Sequence, residues 1–340
     1  MSTAGASPSS ASSPAAWARG GAVSAAALLA DIGGTNARFA LLQDDGAVAT
    51  LETLAVADHE GPEAAVRAVL QRHGLAPPPL AVLAVAGPVH RLPVRLTNAG
   101  WQFDRDALVR ETGIGAVHLV NDFAAQAWVL PALAPGDTVK LGGADGLAGA
   151  VRLVLGPGTG LGVATFAPGT GGTGDRVLAG EGGHAALPAE DDRDAALLGR
   201  LRTRFGRVSA ERVLSGPGLV ALGQAVAAED DLPAPPTTPA ELVEAARAGD
   251  SAAAETLQRF AGFLGSYAGD LTLIVGAWGG VYLTGGIAPR LRPELQSGPF
   301  RARFEAKGRF DAELQQVPTH LIVRPDPAFL GLAELARRLA

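Results

Sequence analysis

One pattern occurs twice in this chain, and it limits the possible folds more than any other feature of the sequence. LLADIGGTNARFALL at 28–42 and VRLVLGPGTGLGVATF at 151–166 are each an apolar run, a Gly/Thr turn and a second apolar run. Apolar runs bounded by glycine turns predict pairs of buried β-strands. Their repetition indicates two halves of similar design, each opening with a strand, a turn and a strand.

The length of the chain predicts two domains. At 340 residues it exceeds the size that one hydrophobic core usually reaches, so two domains that share a cleft are expected. We predict a smaller α/β domain at 27–130 and a larger one at 131–340, with the C-terminal amphipathic helix packing back on the smaller domain. Residues 1–26 are rich in Ala, Ser, Pro and Gly and lack the features of a secretory signal, so they are predicted to be a disordered extension.

Strand and helix patterns alternate along the chain, which indicates an α/β fold with mixed strand pairing. The first copy of the repeated pattern continues into an antiparallel meander that reaches residue 56, and a Pro-rich connector is predicted at 231–241. Further strands are predicted at 80–89, 116–122 and 279–287, and helices at 60–74, 103–113, 123–133, 190–205, 210–228, 251–276 and 329–340.

Composition argues against several classes of function. A net charge of -6 does not suit binding to nucleic acid or to an anionic membrane, and no apolar run approaches the roughly 20 residues of a membrane span. The absence of cysteine excludes disulfides, thiolate metal sites and a cysteine nucleophile, and it fits a reducing compartment such as the cytoplasm. The two lysines, Lys140 and Lys307, do not complete a P-loop motif, so another device must hold any nucleotide.

Three glycine turns follow strand-like runs: GGT at 33–35, GTG at 158–160 and GGI at 285–287. Backbone N–H groups at such turns can converge on an anion, although each turn taken alone also fits an ordinary tight hairpin. Two of them facing each other would clasp a polyphosphate such as the tail of ATP. Asp31 precedes the first turn, where it would either bind a magnesium ion beside the phosphates or accept hydrogen bonds from the turn amides.

Five polar residues are candidates for a ligand site. Asn121 and Asp122 stand where a strand ends and a helix begins, which is where ligands bind in open α/β sheets, but such a pair also commonly caps the helix. GEGGH places Glu181 and His184 among glycines whose ordering costs backbone entropy, which favours a ligand site over a surface turn. Glu211 starts a helical pattern, and its local context favours a role at the helix N-terminus.

Taken together, these segments resemble the bacterial glucokinase family. The resemblance spans residues 28–338, and it extends to the order and approximate spacing of the motifs. The segments that carry it are DIGGTNARFAL at 31–41, LVNDFAAQA at 119–127, GPGTGLGVA at 156–164, GEGGH at 180–184, SAERVLSGPGL at 209–219 and LTGGIAPR at 283–290.

The resemblance implies a fold and an activity. The fold would be the two-domain actin-like ATPase (ribonuclease H-like) fold, with mixed sheets flanked by helices and a central cleft. The activity would be ATP-dependent phosphorylation of glucose at its 6-hydroxyl, with ATP and Mg2+ as cofactors. A cytoplasmic homodimer is expected, with glucose and ATP as partners and with neither nucleic acid nor membrane.

The same resemblance assigns residues to the site. Asp122 would be the catalytic base, and Asn121, Glu181, His184 and Glu211 would bind sugar hydroxyls. The nucleotide would contact Asp31, Gly33, Gly34, Thr35, Asn36, Gly158, Thr159, Gly160, Gly285 and Gly286, with Asp31 holding magnesium through water. Pro157 departs from the family, which commonly has a small residue at this place.

Three alternatives stay open at this point. The chain could be a kinase for another hexose, a kinase that takes polyphosphate as its donor, or a sugar-sensing regulator without turnover. The intact Asp122 and the lack of room for a DNA-binding segment before the first strand argue against the regulator. The cysteine-rich zinc loop of the related repressor and sugar-kinase group cannot form here, because the chain has no cysteine.

Overall fold

The computed structural model describes residues 25–87, 89–90, 93–96 and 100–340. Residues 1–24 of the predicted disordered extension therefore lie outside the described residues. Ala25 and Ala26 already belong to the first strand, so the predicted boundary of the extension is two residues too late.

The described chain alternates strands and helices. The strands are β1 Ala25–Ile32, β2 Asn36–Gln43, β3 Val48–Ala55, β4 Leu80–Val85, β5 Val94–Arg95, β6 Gln102–Phe103, β7 Ala116–Asn121, β8 Thr138–Gly142, β9 Arg152–Pro157, β10 Leu161–Ala167, β11 Arg176–Gly180, β12 Val281–Leu283 and β13 Thr319–Ile322. The helices are α1 Pro62–Arg72, α2 Arg105–Thr112, α3 Asp122–Val129, α4 Asp192–Phe205, α5 Gly216–Glu229, α6 Pro239–Arg247, α7 Ser251–Val275, α8 Arg292–Gln296, α9 Pro299–Glu305, α10 Asp311–Gln316 and α11 Pro327–Leu339.

Two mixed sheets share one strand order. The first sheet runs β3-β2-β1-β4-β7, and the second runs β11-β10-β9-β12-β13 with β8 added at its edge. In the first sheet β1, β2 and β3 form an antiparallel meander, and β4 and β7 are parallel to β1. In the second sheet β9, β10 and β11 form the meander, and β12 and β13 are parallel to β9. The repeat seen in the sequence therefore corresponds to a repeat in topology. The glycine turns at 33–35 and 158–160 occupy the same place in the two copies.

Local sequence explains why the central elements form where they do. Every residue of β4 is buried, as expected for an apolar strand between parallel neighbours that is covered on both faces. The 25-residue helix α7 begins after Asp250, whose side chain accepts a hydrogen bond from the Ala253 N–H, and it ends at Gly276 in the left-handed conformation. These two signals fix the length of the longest helix in the described chain.

Helices α3 and α11 lie between the two sheets. Their apolar side chains share one core with residues of both sheets, among them Leu29 of β1 and Val154 of β9. A side chain at Gly331 of α11 would overlap the carbonyl of Ala125 in α3, so glycine allows the two helices to cross closely. Helix α11 also contacts β1 and β4. The domain boundary near residue 130 stays a prediction, which this arrangement supports.

Several elements differ from the sequence-based prediction. The helix predicted at 210–228 is a 3-10 turn, Ala210–Arg212, followed by α5, because Ser215 caps a new start just before Pro217. The Pro-rich connector ends before its predicted limit at residue 241, because the helix α6 begins at Pro239. The edge strands β8 and β11, the short strand β13 and the short helices α8 to α10 were not predicted, because runs of four to seven residues carry little periodicity. No helix in the described part of the chain is long and apolar enough to cross a bilayer.

Candidate active site

Asp122 is the first residue of α3, at the carboxyl end of the parallel strand β7. The helix is capped by its neighbour: the Asn121 Oδ1 accepts from the N–H groups of Phe123 (2.9 Å) and Ala124 (3.2 Å). The Asn121 side-chain amide in turn donates to the Gly87 carbonyl (3.2 Å). The prediction that this pair caps the helix is therefore confirmed for Asn121, whereas Asp122 is the first helical residue and not the cap.

The Asp122 carboxyl is an unusually strong base for an aspartate. Burial raises its pKa from the ordinary 3.8 to about 6, and the nearby negative charges of Asp31 and Glu181 add to the rise. The Phe123 N–H donates to the Asp122 Oδ1 at 2.9 Å, and this hydrogen bond lowers the pKa of Asp122, although by less than burial raises it. Three predicted site residues from three distant segments thus lie close enough to influence one another electrostatically.

Asp31 lies near the end of β1, directly opposite Arg38 on β2. The Arg38 guanidinium forms an ion pair with the Asp31 carboxylate and a second one, at 2.5 Å, with Asp326 just before α11. Beyond Asp31 the chain makes the first glycine turn, in which the Gly33 N–H donates to the Asn36 carbonyl (2.9 Å). The predicted ligands Gly34, Thr35 and Asn36 form the tip of this turn, where Thr35 and Asn36 are exposed.

The second and third glycine turns adjoin each other. The Gly158 N–H donates to the Gly160 carbonyl (2.8 Å), which closes the second turn, and the Ile287 N–H of the third turn donates to the Pro157 carbonyl (3.1 Å). Gly285 has φ +87°, and a side chain there would come within 2.6 Å of the same carbonyl, so only glycine fits. Pro157, which departs from the family pattern, ends β9 here as a buried residue.

Phe123, the residue after Asp122, packs against β10, the strand that follows the second turn. A side chain at Gly162 of β10 would overlap the Phe123 ring, so the residue after Asp122 packs directly on a strand of the second glycine hairpin. The sequence analysis gave Phe123 no role. The glycines that alternate along GTGLG are consistent with such a close approach, but the sequence does not identify the ring that approaches.

A cavity of about 800 Å3 opens beside the second and third turns. It is lined by the predicted residues Gly158, Thr159 and Gly286 together with the first turn of α5. Its other walls come from residues that the sequence analysis did not identify: Arg204, Val220, Gln224, Thr237, Thr238, Pro239, Ile287 and Arg290. Neither Asp122 nor the predicted sugar ligands line it. The cavity and the carboxylates of Asp31, Asp122 and Glu181 are therefore separate parts of the site.

The remaining predicted sugar ligands adjoin the second hairpin. Glu181 directly precedes the 3-10 turn Gly182–His184, His184 is the last residue of that turn, and both side chains are exposed. Glu181 is near Asp122, as its electrostatic effect on that residue indicates. Glu211 lies outside α5, and its Oε2 accepts from the Leu161 N–H at 2.9 Å. Glu211 does lie in the first turn of a helix, the 3-10 helix Ala210–Arg212, but its carboxylate binds the second glycine hairpin and not the N-terminus of α5.

No three His, Asp or Glu side chains within the described ranges are arranged to hold a metal ion by themselves. Mg2+ normally takes one or two carboxylates and completes its shell with phosphate oxygens and water. Asp31, a half-buried carboxylate next to a glycine turn, suits that donor set. The residues present therefore fit a magnesium ion that arrives with a nucleotide.

The repeated sheet order, with a glycine turn at the same place in each copy, is the architecture of sugar kinases with the actin-like ATPase fold. The fold is shared, for example, with the ROK hexokinase from Thermus thermophilus, at a TM-score of 0.63 and 22% identity over 92% of this chain and 98% of that one. The family model for Glucokinase matches residues 28–339. The chain belongs to the glucokinase family.

Individual relatives agree with this assignment. The glucokinase of Aromatoleum aromaticum is 44% identical over 310 residues, which are 90% of this chain and 93% of the relative. The glucokinase of Caulobacter sp. is 42% identical over 90% and 93% of the two chains. The crystal structure of a glucokinase from an Antarctic psychrotroph has a TM-score of 0.83 and 36% identity, and the match covers 92% of this chain and 98% of that one. The predicted family and fold class are confirmed.

Proposed function

We propose that this chain carries out the ATP-dependent phosphorylation of D-glucose to glucose 6-phosphate and that Asp122 is the general base. Membership of the glucokinase family supports the reaction. The observation that supports the base is the pKa of Asp122, raised to about 6 at a place where Asp31 and Glu181 converge. A base of this strength is ionised at neutral pH and still accepts a proton more readily than an ordinary aspartate.

In the proposed step, the oxygen of the glucose 6-hydroxyl attacks the γ-phosphorus of ATP. The bond between that phosphorus and the oxygen bridging to the β-phosphate breaks, and ADP leaves with the electron pair. Asp122 takes the proton of the hydroxyl as the new bond forms. Its Oδ1 is oriented by the Phe123 N–H, so the carboxylate has a fixed position when the sugar arrives.

The proposed sugar ligands offer both donors and acceptors. Glu181 supplies a carboxylate and His184 an imidazole from one short turn. The Asn121 side chain is fixed by its capping bonds and by Gly87, so it can present its second amide hydrogen in one orientation. Glu211 uses its Oε2 on the second hairpin and has its other oxygen for a hydroxyl. Such groups reject a sugar whose hydroxyl is missing, because they would be left unpaired.

The composition of the large cavity favours a nucleotide over polyphosphate as the phosphoryl donor. Pro217, Val220 and Ile287 give it apolar walls that suit the flat face of a base. An extended polyphosphate would instead require a row of cations, whereas the lining has two arginines, and one of them, Arg204, already donates to Gln224 at 2.5 Å.

The position of the second turn beside a helix supports its proposed role in binding phosphate. The Gly158 carbonyl accepts from the Gly216 N–H (2.8 Å), so the N-terminus of α5 lies against the turn. A helix N-terminus presents N–H groups and a partial positive charge, both of which favour phosphate. We place the phosphates of ATP between this turn and the first one, with magnesium held by Asp31 through water. When bound, the ion would neutralise charge on the phosphates.

Two further expectations belong to this proposal. The family resemblance supports a homodimer, which size-exclusion chromatography with light scattering would detect as twice the 34.3 kDa chain mass. The cysteine-free composition fits the reducing cytoplasm. A monomer in solution would remove the first expectation without affecting the chemistry.

One assay tests the function. The purified protein, with Mg2+, would be given ATP or polyphosphate together with a panel of hexoses, and consumption of each donor would be followed. We expect turnover with ATP and glucose, and loss of that turnover by about 10²- to 10⁴-fold in Asp122→Asn with glucose affinity retained. Asp106→Asn, an exposed aspartate on α2, is the matched control. Binding of glucose without any turnover would instead identify a sugar sensor.

A further inference from the structure

The turn that carries Glu181 and His184 is anchored by a buried tyrosine from a distant part of the sequence. Tyr267, in the middle of α7, is 3% exposed, and its hydroxyl donates to the carbonyl of Gly182 at 2.5 Å. Gly182 is the residue between Glu181 and the rest of the 3-10 turn that ends at His184. The two partners are separated by 85 residues in the sequence, so the bond ties the turn to a distant part of the second half.

The Gly182 carbonyl oxygen accepts two hydrogen bonds. It accepts the Ala185 N–H (2.8 Å), which closes the turn, and the Tyr267 hydroxyl supplies the second donor. A carbonyl oxygen has two lone pairs, so the tyrosine completes its hydrogen bonding. The turn also lies tightly on β10, because a side chain at Gly183 would overlap the Leu161 carbonyl.

The tyrosine itself is held on a rigid support. On the next turn of α7, Asp270 pairs with Lys307 (2.9 Å), and Lys307 also pairs with Glu190 (3.1 Å) in the segment before α4. Ser266, beside Tyr267, donates to the same Glu190. Burial, assisted by the Asp270 charge, raises the pKa of Tyr267, so its hydroxyl keeps the proton that it donates.

We infer that Tyr267 is a positioning residue for sugar binding: through the Gly182 carbonyl it fixes the turn that presents Glu181 and His184 to the hexose. This inference rests on the proposed sugar-binding role of those two residues. The competing explanation is that Tyr267 is an ordinary core residue whose hydroxyl has simply found an acceptor, as buried tyrosines usually do. The two explanations differ in which kinetic constant changes when the hydroxyl is removed.

The test is Tyr267→Phe, which removes one oxygen and keeps the ring that fills the core. The matched control is Tyr282→Phe on β12, because the chain has two tyrosines. Tyr282 stacks on His320 (ring centroids 5.0 Å apart) and packs in the core between the sheets, whereas Tyr267 packs in the core formed with α7. KM for glucose, KM for ATP and kcat would be measured for both variants and the unaltered chain.

We expect Tyr267→Phe to raise KM for glucose by about three- to tenfold, the range set by the loss of one buried hydrogen bond. Glucose binding by calorimetry without nucleotide should weaken by the same factor, while kcat and KM for ATP stay within about twofold. Tyr282→Phe should leave all three constants unchanged.

Two results would overturn the inference. An unchanged KM for glucose in Tyr267→Phe would show that the turn does not need this bond. A rise in KM for both glucose and ATP together with a fall in kcat and a lower unfolding temperature would show a general structural role. Failure of the proposed function is distinguishable, because it would appear in the unaltered chain as absence of glucose turnover, or in Glu181→Gln as an unchanged glucose affinity.

Discussion

Replacing Asp122 by asparagine should stabilise the ligand-free protein at neutral pH even as it removes turnover. The ionised carboxylate is half-buried near Asp31 and Glu181, and the folded protein keeps it charged against an unfavourable environment. Asparagine has nearly the same shape, and its oxygen can still accept the Phe123 N–H that Asp122 accepts at 2.9 Å. The substitution therefore removes the charge and keeps the contact.

The size of the effect follows from the pKa. A rise from 3.8 to about 6 means that ionisation of this carboxyl costs about 3 kcal/mol more in the folded than in the unfolded chain. Because the folded pKa lies above the unfolded one, this cost is absent below about pH 3.8, where both states are protonated, and complete above about pH 6. At about pH 5 roughly half of it, about 1.6 kcal/mol, should apply.

Urea unfolding of Asp122→Asn and the unaltered chain, followed by circular dichroism without ligands at about pH 5 and about pH 7.5, would measure this difference. The variant should be more stable at both pH values, with the larger gain, about 3 kcal/mol, at the higher pH. The exposed-site variant Asp106→Asn should show no comparable gain. A variant no more stable than the unaltered chain at neutral pH, or a gain independent of pH, would refute the electrostatic account of Asp122.

Three further predictions concern the same site. The kcat/KM for glucose should fall tenfold per pH unit below about pH 6, as protonation of Asp122 removes the base, and a profile flat down to pH 5 would contradict that role. Glu181→Gln should raise the dissociation constant for glucose by about tenfold in calorimetry, because a charged acceptor is lost, and should leave KM for ATP unchanged. Gly162→Ala should lower kcat and destabilise the fold by about 1 to 3 kcal/mol, because its methyl overlaps the Phe123 ring, whereas Gly174→Ala, with nothing within 4 Å, should do neither in the same assays.

The long strands beside the glycine turns, the turns themselves and the family could be predicted from the sequence because their signals are local. Apolar runs, glycine turns and the capping residue of α7 all act within a few positions, and the resulting strand order repeats as the sequence repeats. It was harder to predict which of Asn121 and Asp122 caps α3. Both residue types cap helices, and only the path of the backbone decides which one does so here.

The features that could not be predicted depend on contacts between distant segments. Arg38 pairs with Asp326 across 288 residues, and Tyr267 reaches Gly182 across 85. The walls of the large cavity come from α4, α5, the start of α6 and the third turn, which no local pattern brings together. The electrostatic proximity of Asp31 and Glu181 to Asp122 likewise arises only when both sheets are assembled.

The crossing of α3 and α11 has a mechanical consequence. Helix α3 touches strands of both sheets, and Asp122 is its first residue. If one half of the molecule moved against the other about this crossing, Asp122, as the first residue of α3, would move less than the glycine turns. Under the proposed function, closure around the substrates would then bring the phosphate and the sugar toward a base whose own position changes little.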